Sequence, residues 1–412
     1  RSSDLSGHTL KLEVCSTKFK GHNFMENDIL LKNVNDLEEK LIEIRHKFHK
    51  HPELSNEEFK TTQTLRKLLD EAQIRILDLP LVTGLVAEIK GFKEGPIIAI
   101  RCDIDALPIS EETDLDYKSE IFGKMHACGH DFHTTVILGA AYLLKQQEST
   151  LCGTVRVIFQ PAEEIGKGAE DILATGVLSG VDAIFGLHSA PDLEVGSLGT
   201  NVGSLTAAVD RFEIEIVGAG THASSPEKGI DPIIVAAHII TALQTIVSRN
   251  VNAFDQVLIS VTHLKSGNTW NVIPTTAYIE GTVRTLKAEI REFVPKKMLQ
   301  IVKGMADSFG ATAELKWYCG PPATNNTVKW TSVALDIAKE QGYVIKELPK
   351  TLIGEDFAYY QEKIAGAFVN IGTGVSYSLH HPKFTVDDAA ILPSANYFAK
   401  LARRSLVILT EK

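Results

Sequence analysis

Three short apolar runs, each closing on groups that carry chemistry, limit what this chain can fold into. Pro96-Ile97-Ile98-Ala99-Ile100 leads into Arg101-Cys102-Asp103-Ile104-Asp105, Thr154-Val155-Arg156-Val157-Ile158-Phe159 into Gln160-Pro161-Ala162-Glu163-Glu164, and Val181-Asp182-Ala183-Ile184-Phe185-Gly186-Leu187 into His188. Runs of this length suit buried strands, and helical stretches separate them, so the pattern reads as a βαβ series with a largely parallel sheet. Ligands gather beyond the carboxyl ends of such strands. One sheet edge therefore receives acidic or imidazole groups from three strands. Between the first two lies Met125-His126-Ala127-Cys128-Gly129-His130-Asp131-Phe132-His133, with three imidazoles, a thiol and a carboxylate. Cys128 and His130 can reach a common centre from an irregular turn, and thiolate and neutral imidazole suit zinc and its neighbours. The competing reading is a polar helix entry with a merely buried cysteine, because an apolar, helix-like run from Val136 to Leu144 follows at once.

On either side the periodicity is plain. Val34, Leu37, Leu41, Ile44 and Phe48 recur at spacings of three and four, an amphipathic helix that Pro52 ends. His46, His49 and His51 lie at its basic end, where cations favour the helix carbonyls, and read as structural. A second helix spans about 56–72. From about Thr206 the pattern becomes strand 209–217, helix 231–248, strands 256–263 and 276–284, helix 288–308 and strand 312–318. That βαββαβ order is a split βαβ, ferredoxin-like unit. We read 206–317 as a domain inserted into a discontinuous one of 25–205 and 318–412, whose helix near 333–341, strand 367–371 and closing helix of about 393–408 resume the first fold. Residues 1–24 are polar and precede Met25, so they read as an expression-derived leader.

The net charge of −10 lacks the basic balance of a nucleic-acid binder. No apolar run approaches the roughly 18 to 20 residues of a membrane span, and nothing resembles a signal peptide. The five cysteines, Cys15, Cys102, Cys128, Cys152 and Cys319, are odd in number and scattered, unlike a disulfide framework. A cytoplasmic protein in a reducing compartment is expected.

The informative set is Asp103, Asp105, Cys128, His130, Glu163, Glu164, His188 and His380-His381-Pro382. Buried unpaired, these groups are costly, whereas coordination to cations satisfies charge and hydrogen bonding together. The phrases RCDIDALP, MHACGHD, QPAEE, GLHSAP, GAGTHASSP, NVIP, GTVRT, GEDF and LHHPKF, in this order over about 36–398, resemble the metal-dependent aminoacylase and carboxypeptidase family of metallopeptidases. Within it they are most similar to the amidohydrolase branch with the plant auxin-conjugate (IAA-amino acid) amidohydrolases, bacterial hippurate hydrolases and N-acyl-L-amino acid amidohydrolases.

The resemblance implies an α/β, zinc-exopeptidase-like catalytic domain with a ferredoxin-like lid and dimerisation domain. It implies two divalent metal ions, Zn, Mn or Co, bridged by Cys128 and completed by His130, Glu164, His188 and His380, with His380 favoured over His381. Glu163 becomes the general base, Asp105 the carboxylate that orients a ligand imidazole, and His222 the donor to the oxyanion, which in several relatives comes from the other subunit of a dimer. Asn271 and Arg284 match substrate-orienting positions. Asp103 stands where carboxypeptidase members carry a ligand histidine, and Glu227 where a lid histidine is common. GEDF reads by default as a capped helix start. The implied activity is hydrolysis of the amide bond of a small N-acyl amino acid by a homodimer or higher homo-oligomer. The rivals are a dipeptidase or carboxypeptidase, an N-acetyl-diaminopimelate deacetylase, a catalytically silent metal-binding module, and a thiol hydrolase using Cys128.

Overall fold

A computed structural model describes residues 34–411; the leader 1–24, Met25 and Cys15 lie outside the described residues. The larger sheet runs in the order Arg75–Ile76, Leu85–Lys90, Cys152–Gln160, Lys93–Asp103, Val181–Ala190, Gly366–Gly372, Ser197–Gly199 and Val344–Lys346. Its four central strands, from Cys152–Gln160 to Gly366–Gly372, are mutually parallel, while Leu85–Lys90 and Ser197–Gly199 flank them antiparallel. The α/β class and mostly parallel sheet are thus as the apolar runs predict.

Those runs are continuous because both faces of the sheet are covered. Ile98, Ile100 and Cys102 enter the core beneath the helices His130–Gln146 and Ile391–Thr410, while Ala99 points to the opposite face with Ile158, Ile184, Phe357 and Phe368. Register then aligns the chemistry. Asp103 pairs with Gln160, and Asn370 with His188, so the functional groups leave the sheet at one edge.

A second sheet, in the order Val257–Ser266, Thr276–Thr285, Ala208–Val217 and Thr312–Cys319, is antiparallel throughout. Positions along Ala208–Val217 alternate between buried and open, as a sheet covered on one face requires. Its core joins Phe212, Ile214 and Ile279 to Val235 and Ile239 of one helix and Met298 of another. One expectation needs correcting: the helical stretch Pro232–Asn250 is, by length and hydropathy, apolar enough for a membrane span. The sequence reading missed it because Gln244 and Arg249 interrupt the apolar run. In the fold Val235, Ala236, Ile239, Leu243 and Ile246 pack into the second core.

Several elements were not foreseen. Leu85–Lys90 and the short strands Ser197–Gly199 and Val344–Lys346 are too brief to stand out from their flanks, and the helix placed near 333–341 starts at Val328.

The first helix, Val34–Lys50, carries a buried ionic cluster. Arg45 donates to Asp131 (3.0 Å), and the His49 ring bonds Asp131 through Nδ1 (2.9 Å) and Glu111 through Nε2 (3.2 Å). His46 contacts Asp388 (2.7 Å), whereas exposed His51, just past the helix end, bonds the Lys47 carbonyl (2.9 Å) and lies 3.7 Å from Glu120. The structural reading of these histidines therefore stands, with carboxylate partners rather than the helix terminus as the reason for His49. Burial alone lowers the His49 pKa, but Asp131 and Glu111 outweigh it and raise the pKa to about 9. A group raised in the folded state stabilises fully below its unfolded pKa and loses that contribution as pH rises through the folded value. Stability therefore falls between roughly pH 6.5 and 9, by on the order of 3 kcal/mol at most. Denaturant midpoints across that range test this, and His49→Gln flattens the slope.

Candidate active site

Each donor reaches the sheet edge by a different local device. Gly129, at φ +85°, turns the chain into the helix that begins at His130; a side chain there would also press on Ser189 Oγ at 2.7 Å. Ala162 holds a left-handed φ of +55° just before Glu163, secured by its amide donating to the Glu58 carboxylate (2.8 Å). His380 is left-handed too, at φ +64°, and its amide donates to the Ala127 carbonyl (2.8 Å), tying the late loop to the cysteine turn. Non-glycine residues in this region concentrate at functional sites.

These turns converge on one cleft of about 640 Å³ lined by Cys128, Glu163, Glu164, His188, His380 and Arg284. Cys128 Sγ lies 3.4 Å from His188 Nε2, and His380 Nε2 lies 3.5 Å from a Glu164 oxygen. Donor atoms of Cys128, His130 and His188, of Cys128, Glu164 and His380, and of His130, Glu163 and Glu164 fall within 4.8 Å of one another in each trio. His381 turns away and stacks on Tyr377, with ring centroids 4.4 Å apart.

The tautomers are set from behind. His130 Nδ1 contacts Asp105 Oδ1 (3.2 Å), and His188 Nδ1 contacts the Ser189 carbonyl (2.8 Å), leaving His130 Nε2 toward Glu164 and His188 Nε2 toward Cys128. Asp105 is itself held by the Ser55 hydroxyl (2.7 Å) and the Glu164 amide (3.0 Å). Such outer contacts are how proteins orient metal-ligating imidazoles.

Do these residues fit cations? His130 Nε2 and Glu164 Oε1 are buried without a hydrogen-bond partner among the described residues, yet lie 3.8 Å apart. Buried polar atoms are seldom left so. Burial, with Glu355, Asp356 and Glu164 adding, holds the Glu163 carboxyl well above the usual range, and burial with Glu164 does the same to the Cys128 thiol. Burial pushes the His188 and His380 imidazoles down, toward the neutral form that ligates. Against burial, Asp103, Cys128 and Asp105 hold the His130 imidazole above its usual range; acids that resist ionising beside the neutral rings of His188 and His380 are a donor set that cations complete.

Two further contributors escaped the sequence reading. Arg101 is buried and donates to Gln160 (2.8 Å), Asp103 (2.9 Å) and Asp356 (2.7 Å), with Glu355 3.1 Å away. Asp103 also accepts from His133 (2.6 Å), so it anchors the strand end behind the cleft. GEDF is not the capped helix start expected: the short helix Ala358–Gln361 follows it with Phe357 at its N-cap and no side-chain cap, Glu355 accepts the Phe357 amide (2.9 Å) and lines the cleft, and Asp356 forms part of the buried network. An arginine inside the apolar run ending at Cys102 was the available signal, since burial obliges it to find carboxylates.

The second sheet sends Arg284 to the cleft, half-buried and hydrogen-bonded to Thr282 Oγ1 and the Val283 carbonyl. His222 and Asn271 are not among the cleft residues. His222 is exposed, bonds Ser224 Oγ (2.7 Å) and lines a separate hollow; Asn271 precedes its strand partner Val272.

A family model described as Peptidase family M20/M25/M40 matches residues 99–404. The chain is 50% identical to an N-acetylcysteine deacetylase of Bacillus subtilis, over 88% of this chain and 96% of that one. It is 37% identical to the IAA-amino acid hydrolase ILR1-like 5 of Arabidopsis thaliana, over 93% and 90% respectively. Among solved structures, the Bacillus subtilis YXEP protein, described as a dinuclear metal binding peptidase from the M20 family, superposes with a TM-score of 0.83 at 47% identity, covering 90% of this chain and 99% of its own.

Proposed function

The chain belongs to Peptidase family M20/M25/M40, and from that premise we propose that it is a dinuclear metal-dependent amidohydrolase that cleaves N-acyl amino acids. The observation that carries this reading is the approach of the unpartnered His130 Nε2 and Glu164 Oε1 to the donor atoms of Cys128, His188 and His380 at the floor of one cleft. The nature of the relatives, a deacetylase and an auxin-conjugate hydrolase, supports amide hydrolysis of small acylated amino acids.

Cys128, His130, Glu164, His188 and His380 would hold two divalent ions, and mixed sulfur, nitrogen and oxygen donors suit zinc, manganese or cobalt. Bound there, such ions would supply a water of lowered pKa and a Lewis acid for the scissile carbonyl. Glu163 takes the proton from water and delivers it to the departing amine. Asp105 keeps His130 in its ligating tautomer, and Arg284 pairs with the substrate carboxylate.

His222 and Asn271 act, in this reading, from a second copy of the chain, with residues 206–317 serving as lid and dimerisation domain. Exposed Ile233, Ile234 and Val247 on the helical stretch Pro232–Asn250, beside the edge strand Val257–Ser266, support such an interface.

The test is a panel of N-acetyl amino acids, hippurate, auxin conjugates and dipeptides, run on metal-replete protein with elemental analysis. We expect two divalent ions per chain and turnover of acyl amino acids ahead of dipeptides. Activity should vanish with a chelator and return with zinc or manganese. Two ions bound with no hydrolysis of any acyl amino acid overturns the reading; chelator-resistant activity points instead to a thiol nucleophile.

A further inference from the structure

Beside His188 the cleft opens into a side chamber of about 150 Å³. The two spaces share His188, Ile353, Gly354, Glu355 and Leu379, so the chamber adjoins the cleft at His188. Its walls are mostly apolar, from Leu205, Leu348, Pro349, Phe368 and Leu379. Leu348 is seated over Gly199, where any added side chain would meet its Cγ at 2.5 Å, and Phe368 and Leu205 are fully buried, so the walls have little room to yield.

Polar groups interrupt this lining at Asp192, Thr351, Glu355 and Asn370, besides His188, Ser189 and Thr206. Asn370 is the register partner of His188 on the neighbouring strand and therefore faces the same side. Thr351 Oγ1 is buried with no hydrogen-bond partner among the described residues. Elsewhere on the wall Thr206 bonds Thr324 (2.6 Å), Ser189 bonds the Cys128 carbonyl (2.8 Å) and Glu355 accepts the Phe357 amide (2.9 Å), while Asp192 is exposed. An orphaned hydroxyl in a concave apolar wall asks for an occupant.

We propose that this chamber receives the acyl group of the substrate and limits it to compact acyls, from acetyl up to a single aromatic ring. The inference rests on the amidohydrolase reading. The guanidinium of Arg284 lines the main cleft but not the chamber, so the carboxylate end of the substrate and the chamber occupy different parts of the site. With the scissile amide at the donor cluster between them, the group beyond the carbonyl enters the chamber. Its size follows from volume, since an apolar cavity of about 150 Å³ accepts benzene. An indole ring or a long alkyl chain exceeds it.

The test uses the metal-loaded full chain and four substrates that differ only in the acyl group: N-acetyl-, N-benzoyl-, N-(indole-3-acetyl)- and N-dodecanoyl-L-alanine. We expect kcat/KM for the first two to exceed the last two by about tenfold or more, the scale on which a pocket wall rejects surplus carbon. Leu348→Ala should shift the ratio toward the indole-3-acetyl substrate by about tenfold. Thr351→Phe, on a more open segment and less prone to misfold, should lower the ratio of benzoyl to acetyl turnover about tenfold. Binding of the same four compounds to Glu163→Gln, followed by calorimetry, gives a readout independent of turnover. Absence of turnover for every compound removes the amidohydrolase reading while the binding order still decides the chamber. Equal binding of all four acyl groups overturns the proposal, as does a variant that changes preference among N-acetyl-alanine, -methionine and -phenylalanine instead.

Discussion

Glu163→Gln lowers kcat by about 10² to 10⁴-fold while the bound metal stays at its original stoichiometry. The carboxyl lies in the cleft with donor atoms near both His130 and Glu164 and, on its other side, near Glu355 and Asp356. Glutamine keeps the shape and loses the proton-carrying oxygen, so the loss should sit in kcat rather than in folding or metal content. Elemental analysis beside steady-state kinetics separates these. Retained turnover removes Glu163 from the mechanism, and loss of one ion instead makes it a ligand.

Arg101→Leu destabilises the fold by about 3 to 5 kcal/mol, the scale for removing one partner of a buried ionic group. Asp103, Glu355 and Asp356 all lie against the guanidinium, and none has solvent to turn to. Burial, with Glu355 beside it, already raises the Asp356 pKa to about 8 despite the arginine, so its removal leaves acids that must protonate to remain inside. Denaturant unfolding measures the loss. A variant as stable as the parent would mean that water or neighbouring donors replace the arginine.

How much of this was legible beforehand differs by region. Strands with both faces covered betray themselves as unbroken apolar runs, and the residues just past their ends, Glu163, Glu164 and His188, could be named because sheet topology dictates where strand ends meet. The choice of His380 over His381 rested on resemblance; in the fold it is a left-handed backbone that points one ring at Glu164 and stacks the other on Tyr377. Asp356 was not legible, since its partners Arg101 and Gln160 lie far away in the chain and no local period links them. His222 and Asn271 were named as site residues, yet the fold of one chain keeps them apart from the cleft, which no reading of a single sequence could decide.

The strand Gly366–Gly372 lies against Val181–Ala190, although the whole second sheet is synthesised between them. On a ribosome adding about 5 to 20 residues per second, the nascent chain therefore carries Cys128, His130, Glu164 and His188 for on the order of ten seconds before the strand that braces His188 and the loop that bears His380 emerge. In the proposed reading a complete cation site therefore awaits the end of the polypeptide, and a chain cut short within the second sheet carries Cys128, His130, Glu164 and His188 without His380.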